Sequence, residues 1–265
     1  MALSNPAFSR NAVFQSGTAS STATAAATAE NLQQLYEQPS ASSVQMDRMT
    51  VEDTVGKSFL CFVLLVASAA VGWFVPMLMI VGLIVGLVLG LVNAFKKEPS
   101  APLILLYAAF EGLFIGGISA FFERAYPGIV VQATLATIAV VGVTLALFAS
   151  GKVRASKRAT KVFFVALIGY LVFSLINFGM MMFGATDNPW GMRSVEVFGI
   201  PLGVIIGVLA VLMGAYSLVL DFDFIQRGVA NRAPRKYGWT GAFGIMVTVI
   251  WLYVEILRLL AISRD

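Results

Sequence analysis

PLGVIIGVLAVLMGAYSLVLDFDFIQRG, residues 201–228, runs without a charge from Pro201 to Leu220 and then places Asp221 and Asp223 two residues apart. About 20 consecutive apolar residues are the length of an α-helix that crosses a bilayer, so the stretch is expected to be a membrane helix spanning roughly 198–222. A carboxylate in or beside hydrocarbon is costly and marks a site of function more often than chance. Two residues are about 200° of helical turn, so the two aspartates face different ways. Asp223 has Arg227 four residues on, the spacing of an intrahelical ion pair. Asp221 has no basic residue at i+3 or i+4 and is the better candidate to face the bundle.

The rest of the chain repeats this pattern. Of its 265 residues 58% are hydrophobic and only 12% charged, against about a quarter charged in soluble domains. Further apolar runs lie at 57–75, 77–95, 101–122, 128–150, 162–184 and 240–262. The expected fold class is therefore all-α, an integral membrane bundle of seven transmembrane helices. Pro76 and the YPG of Tyr126–Gly128 mark tight turns. Residues 1–50, rich in Ser, Ala, Thr and Gln, are expected to form a mobile cytoplasmic tail with a short helix near Ala29–Gln38, leaving 51–265 as the membrane domain. The tail has no apolar signal-peptide core.

Basic residues set the expected topology. Arg10, Arg48 and Lys57, then Lys96 and Lys97, then Lys152, Arg154, Lys157, Arg158 and Lys161, then Arg227, Arg232, Arg235 and Lys236 all fall on one side of the seven runs. Only Arg124, Arg193 and Arg264 fall on the other, with Arg258 inside the last helix. The amino terminus is expected to be cytoplasmic and the carboxyl terminus outside, in a plasma membrane. The net charge of +4 thus reads as a topology signal, and no nucleic-acid partner is expected. The bilayer itself is the expected partner.

Histidine is absent and Cys61 is the single cysteine. That removes the usual metal ligand and neutral-pH switch, and leaves proton-linked behaviour to carboxylates. Besides the two aspartates, Glu111 and Glu255 lie inside apolar runs. Glu111, in YAAFEGLFIGGIS, sits about 15 Å into the third helix; it is either a protonated group bonded to a neighbouring helix or part of a proton pathway. Glu255, in VIWLYVEILRLLAIS, has Arg258 three residues on, either a mutual neutralisation that lets the helix insert or a titrating core carboxylate beside a cation. The Gly82, Gly86 and Gly90 ladder reads as close helix packing. Asn93, Gln132 and Asn177 are expected to bridge helices or line water, and Leu252 and Leu259 are candidates for an apolar plug.

The seven-helix plan, EGLFIGGIS in the third helix, the acidic end of the sixth and WLYVEILRLL in the seventh together resemble the Bax inhibitor superfamily over residues 45–265. SNPAFSR and MTVEDTV are similar to its bacterial, longer-tailed branch, which implies the bacterial inner membrane. The resemblance implies a bundle with the last helix at its centre and a pH-sensitive leak of calcium ions. It also implies a gate of two proton-sharing acids, one late in the sixth helix and one in the seventh. The seventh-helix position falls on Glu255, where LYVE stands for the family's LYLD, and the sixth on Asp221 or Asp223. Asp221 and Glu255 would also offer oxygen ligands for transient calcium, the permeant ion; no cofactor is expected.

Counted from the helix ends, however, Asp221 falls near the cytoplasmic boundary and Glu255 about 16 to 22 Å inside, closer in depth to Glu111. Glu111 with Glu255 is therefore a second candidate pair. The competing function is a non-conducting regulator that binds a membrane protease or a stress-pathway partner through helix contacts and the tail. An enzyme is not expected: the seventh helix lacks the Gly-x-Gly-Asp of intramembrane aspartyl proteases, serine and zinc motifs are missing, and a retinal lysine is absent from it.

Overall fold

The computed structural model describes residues 46–186 and 188–265. Residues 1–45, which hold most of the expected tail and its short helix, lie outside the described residues. Among the described residues seven helices are long and apolar enough to cross a membrane: α1 (Val51–Phe74), α2 (Leu78–Phe95), α3 (Ala101–Ala125), α4 (Ile129–Ala149), α5 (Lys157–Met182), α6 (Leu202–Ala230) and α7 (Gly238–Ile262). This is an all-α, multi-pass integral membrane protein.

Local chemistry sets the helix ends. Thr50 Oγ1 accepts the Asp53 N–H at 3.1 Å and Ser156 Oγ accepts that of Ala159 at 3.2 Å, so α1 and α5 each start on a hydroxyl cap. The helices thus start six and five residues before the apolar runs begin, because helical hydrogen bonding continues through polar first turns that a hydrophobicity reading cuts off. At α6 both bounds move later. It begins at Leu202 instead of 198, because Val195–Leu202 closes a small hairpin of β1 (Glu196–Val197) and β2 (Ile200–Pro201). It ends at Ala230 instead of 222, stopped by Arg232 at φ 55° and then Pro234. The two aspartates are therefore inside the helix, not at its end; Asp221 lies about 14 Å in from Ala230.

The last helix is the axis of the bundle, touching α1, α3, α4 and α6. On one face Ala242, Met246 and Ile250 pack with Cys61, Leu65, Tyr107 and Ile115 of α1 and α3; on another Ile256, Leu257 and Ala261 pack with Ile129 and Ala133 of α4. Since lipid is as apolar as leucine, close approach and internal hydrogen bonds hold such helices together, not the hydrophobic effect. The α1–α3 crossing shows this: a Cβ on Gly116 would overlap the Ala69 backbone. By contrast, α2 and α5 are mostly exposed, as helices at a lipid-facing periphery are.

The two ends of the bundle are tied differently. At the basic end, Asp53 takes Lys57 Nζ at 2.5 Å and Arg235 Nη2 at 2.7 Å. Met49 N–H donates to Ala233 O at 2.8 Å, so Met46–Thr50, expected to be the end of the tail, are bound to the α6–α7 loop. At the opposite end, Asp265 accepts from Tyr126 Oη and Trp190 Nε1, and Arg264 donates to Gln132 Oε1 at 2.7 Å.

Candidate functional site

Among the described residues, three separate places within the apolar bundle hold a carboxylate. The first joins α6 to α7. Thr248 Oγ1, 4% exposed, donates to Asp221 Oδ2 at 2.7 Å and lies 3.2 Å from Ser217 Oγ. Gly244, one turn earlier on α7, leaves room for the carboxylate, since a Cβ there would come within 2.8 Å of Asp221 Oδ1. No basic side chain is within ion-pair distance of Asp221 among the described residues. Asp223 points elsewhere and pairs with the exposed Arg227 at 2.6 Å, the arrangement expected from their spacing.

The second place joins α7 to α5. Glu255 is 2% exposed. Its Oε1 accepts from Arg258 Nη1 at 2.7 Å and from Tyr170 Oη, and Arg258 Nη1 also donates to Tyr170 Oη at 3.1 Å. Arg193, counted above among the loop residues that set topology, is instead folded into the bundle and 4% exposed. It sits on the 3-10 turn Gly191–Ser194, donates from Nη2 to Ser174 Oγ at 3.1 Å, and lies over the Tyr170 and Phe173 rings at 5.6 and 5.5 Å. Asn177 fixes that turn: its Oδ1 accepts Met192 N–H at 2.6 Å and its Nδ2 donates to Trp190 O at 3.3 Å. Gly191 suits the place for two reasons, φ of 59° and Asn177 Oδ1 only 2.5 Å from where a Cβ would be.

The third place is Glu111, whose Oε2 lies 2.5 Å from the position a Cβ on Gly86 would take. One rung of the glycine ladder on α2 thus makes space for a carboxylate, while Gly82 receives the α3 backbone. Asn93 bridges the same two helices, its Nδ2 donating to Leu89 O at 2.9 Å and Leu103 O at 3.2 Å.

These places do not merge, which corrects both expected acid pairs. Helices α6 and α7 run antiparallel, with Gly207 against Leu259 and Gly214 against Leu252. Val211, midway between those glycines, is then level with Glu255. Asp221 is ten residues further along, about 15 Å away, and meets Thr248 instead. A calcium ion held jointly by Asp221 and Glu255 does not fit this register, and no group of three potential metal-ligating side chains occurs among the described residues. Glu111 and Glu255 are also apart: on α3 it is Ser119, eight residues after Glu111, whose Oγ is 2.6 Å from Tyr253 Oη, two residues before Glu255. Thr248, Tyr170, Ser174 and Arg193 were not picked out from the sequence. The usable signals were a hydroxyl or phenol inside an apolar run and a single arginine in a loop rich in Gly, Pro and aromatics.

Seven apolar spans with carboxylates set inside them, Glu255 fully buried, and an inserted arginine define a polytopic membrane protein with internal polar sites. The chain belongs to the Bax inhibitor 1 like family, whose profile matches residues 5–265. None of the curated proteins matches the chain.

Proposed function

We propose that this protein is a pH-sensitive cation leak pathway, with calcium as the permeant ion, and that Asp221 is its proton-responsive group. The observation that supports this best is the Asp221–Thr248 contact, a carboxylate with no cationic partner among the described residues that ties α6 to the central helix. An ionised Asp221 accepts the Thr248 hydroxyl; a protonated one becomes a donor itself, so the bond between the helices is rearranged by a single proton. Carboxylate oxygens also suit calcium, which takes oxygen ligands and tolerates irregular geometry. Leu252, fully buried against Gly214, lies between Asp221 and Glu255 and serves in this reading as the closed constriction. Glu255, held by Arg258 and Tyr170, is an anchor of α5 on α7 and not half of a proton-sharing pair.

In this reading the basic end faces the cytoplasm of a bacterial inner membrane, following the positive-inside rule. Calcium uptake into proteoliposomes holding the purified chain and a fluorescent indicator, scanned from about pH 5 to 8, tests it. Uptake above empty liposomes that changes with pH supports the leak. No uptake at any pH overturns it and leaves the non-conducting regulator, with a membrane-protein partner, as the function to pursue.

A further inference from the structure

The side of α7 that carries Glu255 opens into a chamber of about 430 Å³, lined by Tyr170, Ser174, Asn177, Trp190, Arg193 and Arg258 among others. Ligand sites commonly run from about 300 to 1,000 Å³. Two guanidinium groups face one carboxylate there, so one positive charge is uncompensated among the described residues. Two buried atoms also lack a hydrogen-bond partner among them: Arg193 Nη1, a donor, and Glu255 Oε2, an acceptor. Leaving such atoms buried and unpaired costs about 1–3 kcal/mol each, more when charged. A single ligand that accepts at one end and donates at the other would satisfy both.

The position of the chamber narrows the chemistry. Arg258 is four residues from the end of α7 at Ile262, about 6 Å along the axis, and is 29% exposed. One wall is the exposed, apolar side of α5, with Leu171 and Phe178. The chamber therefore lies where a bilayer's phosphates meet its acyl chains. The guanidinium fork fits a phosphate better than a point charge does.

We infer that this chamber binds an anionic phosphate ester that also carries a hydroxyl, the phosphate on Arg193 and the hydroxyl on Glu255. Phosphatidylglycerol in the bilayer and a free glycerol phosphate share this chemistry. The inference does not depend on the leak reading.

Native mass spectrometry of the full chain in detergent, offered phosphatidylglycerol beside an excess of phosphatidylcholine, tests it. One phosphatidylglycerol retained per chain is the expected result, and Arg193→Gln should weaken it about tenfold or more, with Arg193→Lys in between. Displacement of the lipid by glycerol 3-phosphate, or binding of that ester in its place, would assign the site to the free ester. Equal retention of the two lipids with no binding of glycerol 3-phosphate overturns the proposal, as does a folded Arg193→Gln that binds like the wild type. Should Arg193→Gln fail to fold, brominated lipids read the wild type through Trp190 and Trp251, which line the chamber. Saturable quenching by brominated phosphatidylglycerol, and not by brominated phosphatidylcholine, supports the site; equal quenching refutes it.

Discussion

Leu252 of α7 is fully buried against Gly214 of α6, one turn beyond Thr248 and one turn short of Glu255. The apolar contact thus separates the two acidic places along the central helix. Asp221 lies on the basic side of it and Glu255 on the other, and any ion passing along this seam must cross Leu252.

Leu252→Ala should therefore raise calcium leak through proteoliposomes severalfold at a fixed pH, whereas Leu209→Ala, on the exposed side of α6, should not. Flux assays on the two variants side by side check this. A fully sealed Leu252→Ala that is still folded would move the constriction elsewhere.

Asp223→Asn should leave both flux and fold nearly unchanged. Its partner Arg227 is 69% exposed, and pairs of this kind contribute about 0.5 kcal/mol or less. Thermal unfolding in detergent, together with the flux assay, measures both effects.

Gly116→Leu should abolish the folded protein, because no side chain fits between α3 and the Ala69 backbone. Gly142→Ala, with open space around the new methyl, should be tolerated. Monodispersity after extraction distinguishes them.

The clasp at the carboxyl end has a defined pH response. Hydrogen bonds from Tyr126 and then Trp190 hold the Asp265 carboxyl below its ordinary range, and the same bond pushes Tyr126 up to about 12. The contribution of the lowered carboxyl is present above the ordinary aspartate value of about 3.9 and is lost only as pH falls through the lower folded value. That of the raised phenol is present below about 10 and is lost as pH rises through about 12. Trp190 emission should then hold steady across neutral pH and shift only beyond those limits. Asp265→Asn should shift it at pH 7.

The seven helices and the central place of the last were legible because long apolar runs and one family resemblance dictate them. The helix ends were not, since polar first and last turns such as Thr50–Asp53 and Asp221–Ala230 carry the same hydrogen bonding without the hydrophobic signal. The acid pairing was misjudged for another reason: Asp221 with Glu255 followed from the family resemblance, although depth counted from the helix ends already set the two about 16 to 22 Å apart. Even the correct end would not have revealed the antiparallel register that puts Asp221 on Thr248 and Val211 level with Glu255. The Asp223–Arg227 pair was readable because its four-residue spacing is local. The burial of Arg193 was not, because a loop arginine counts as a topology signal until tertiary packing turns it inward.

The pH profile of calcium flux in wild type, Asp221→Asn and Glu255→Gln proteoliposomes separates the roles of the two acids. If Asp221 is the proton-responsive group, its substitution flattens the profile, while Glu255→Gln keeps the pH dependence and changes only the amount of flux or of folded protein. A wild-type profile in Asp221→Asn, or a flat one in Glu255→Gln alone, would contradict the account.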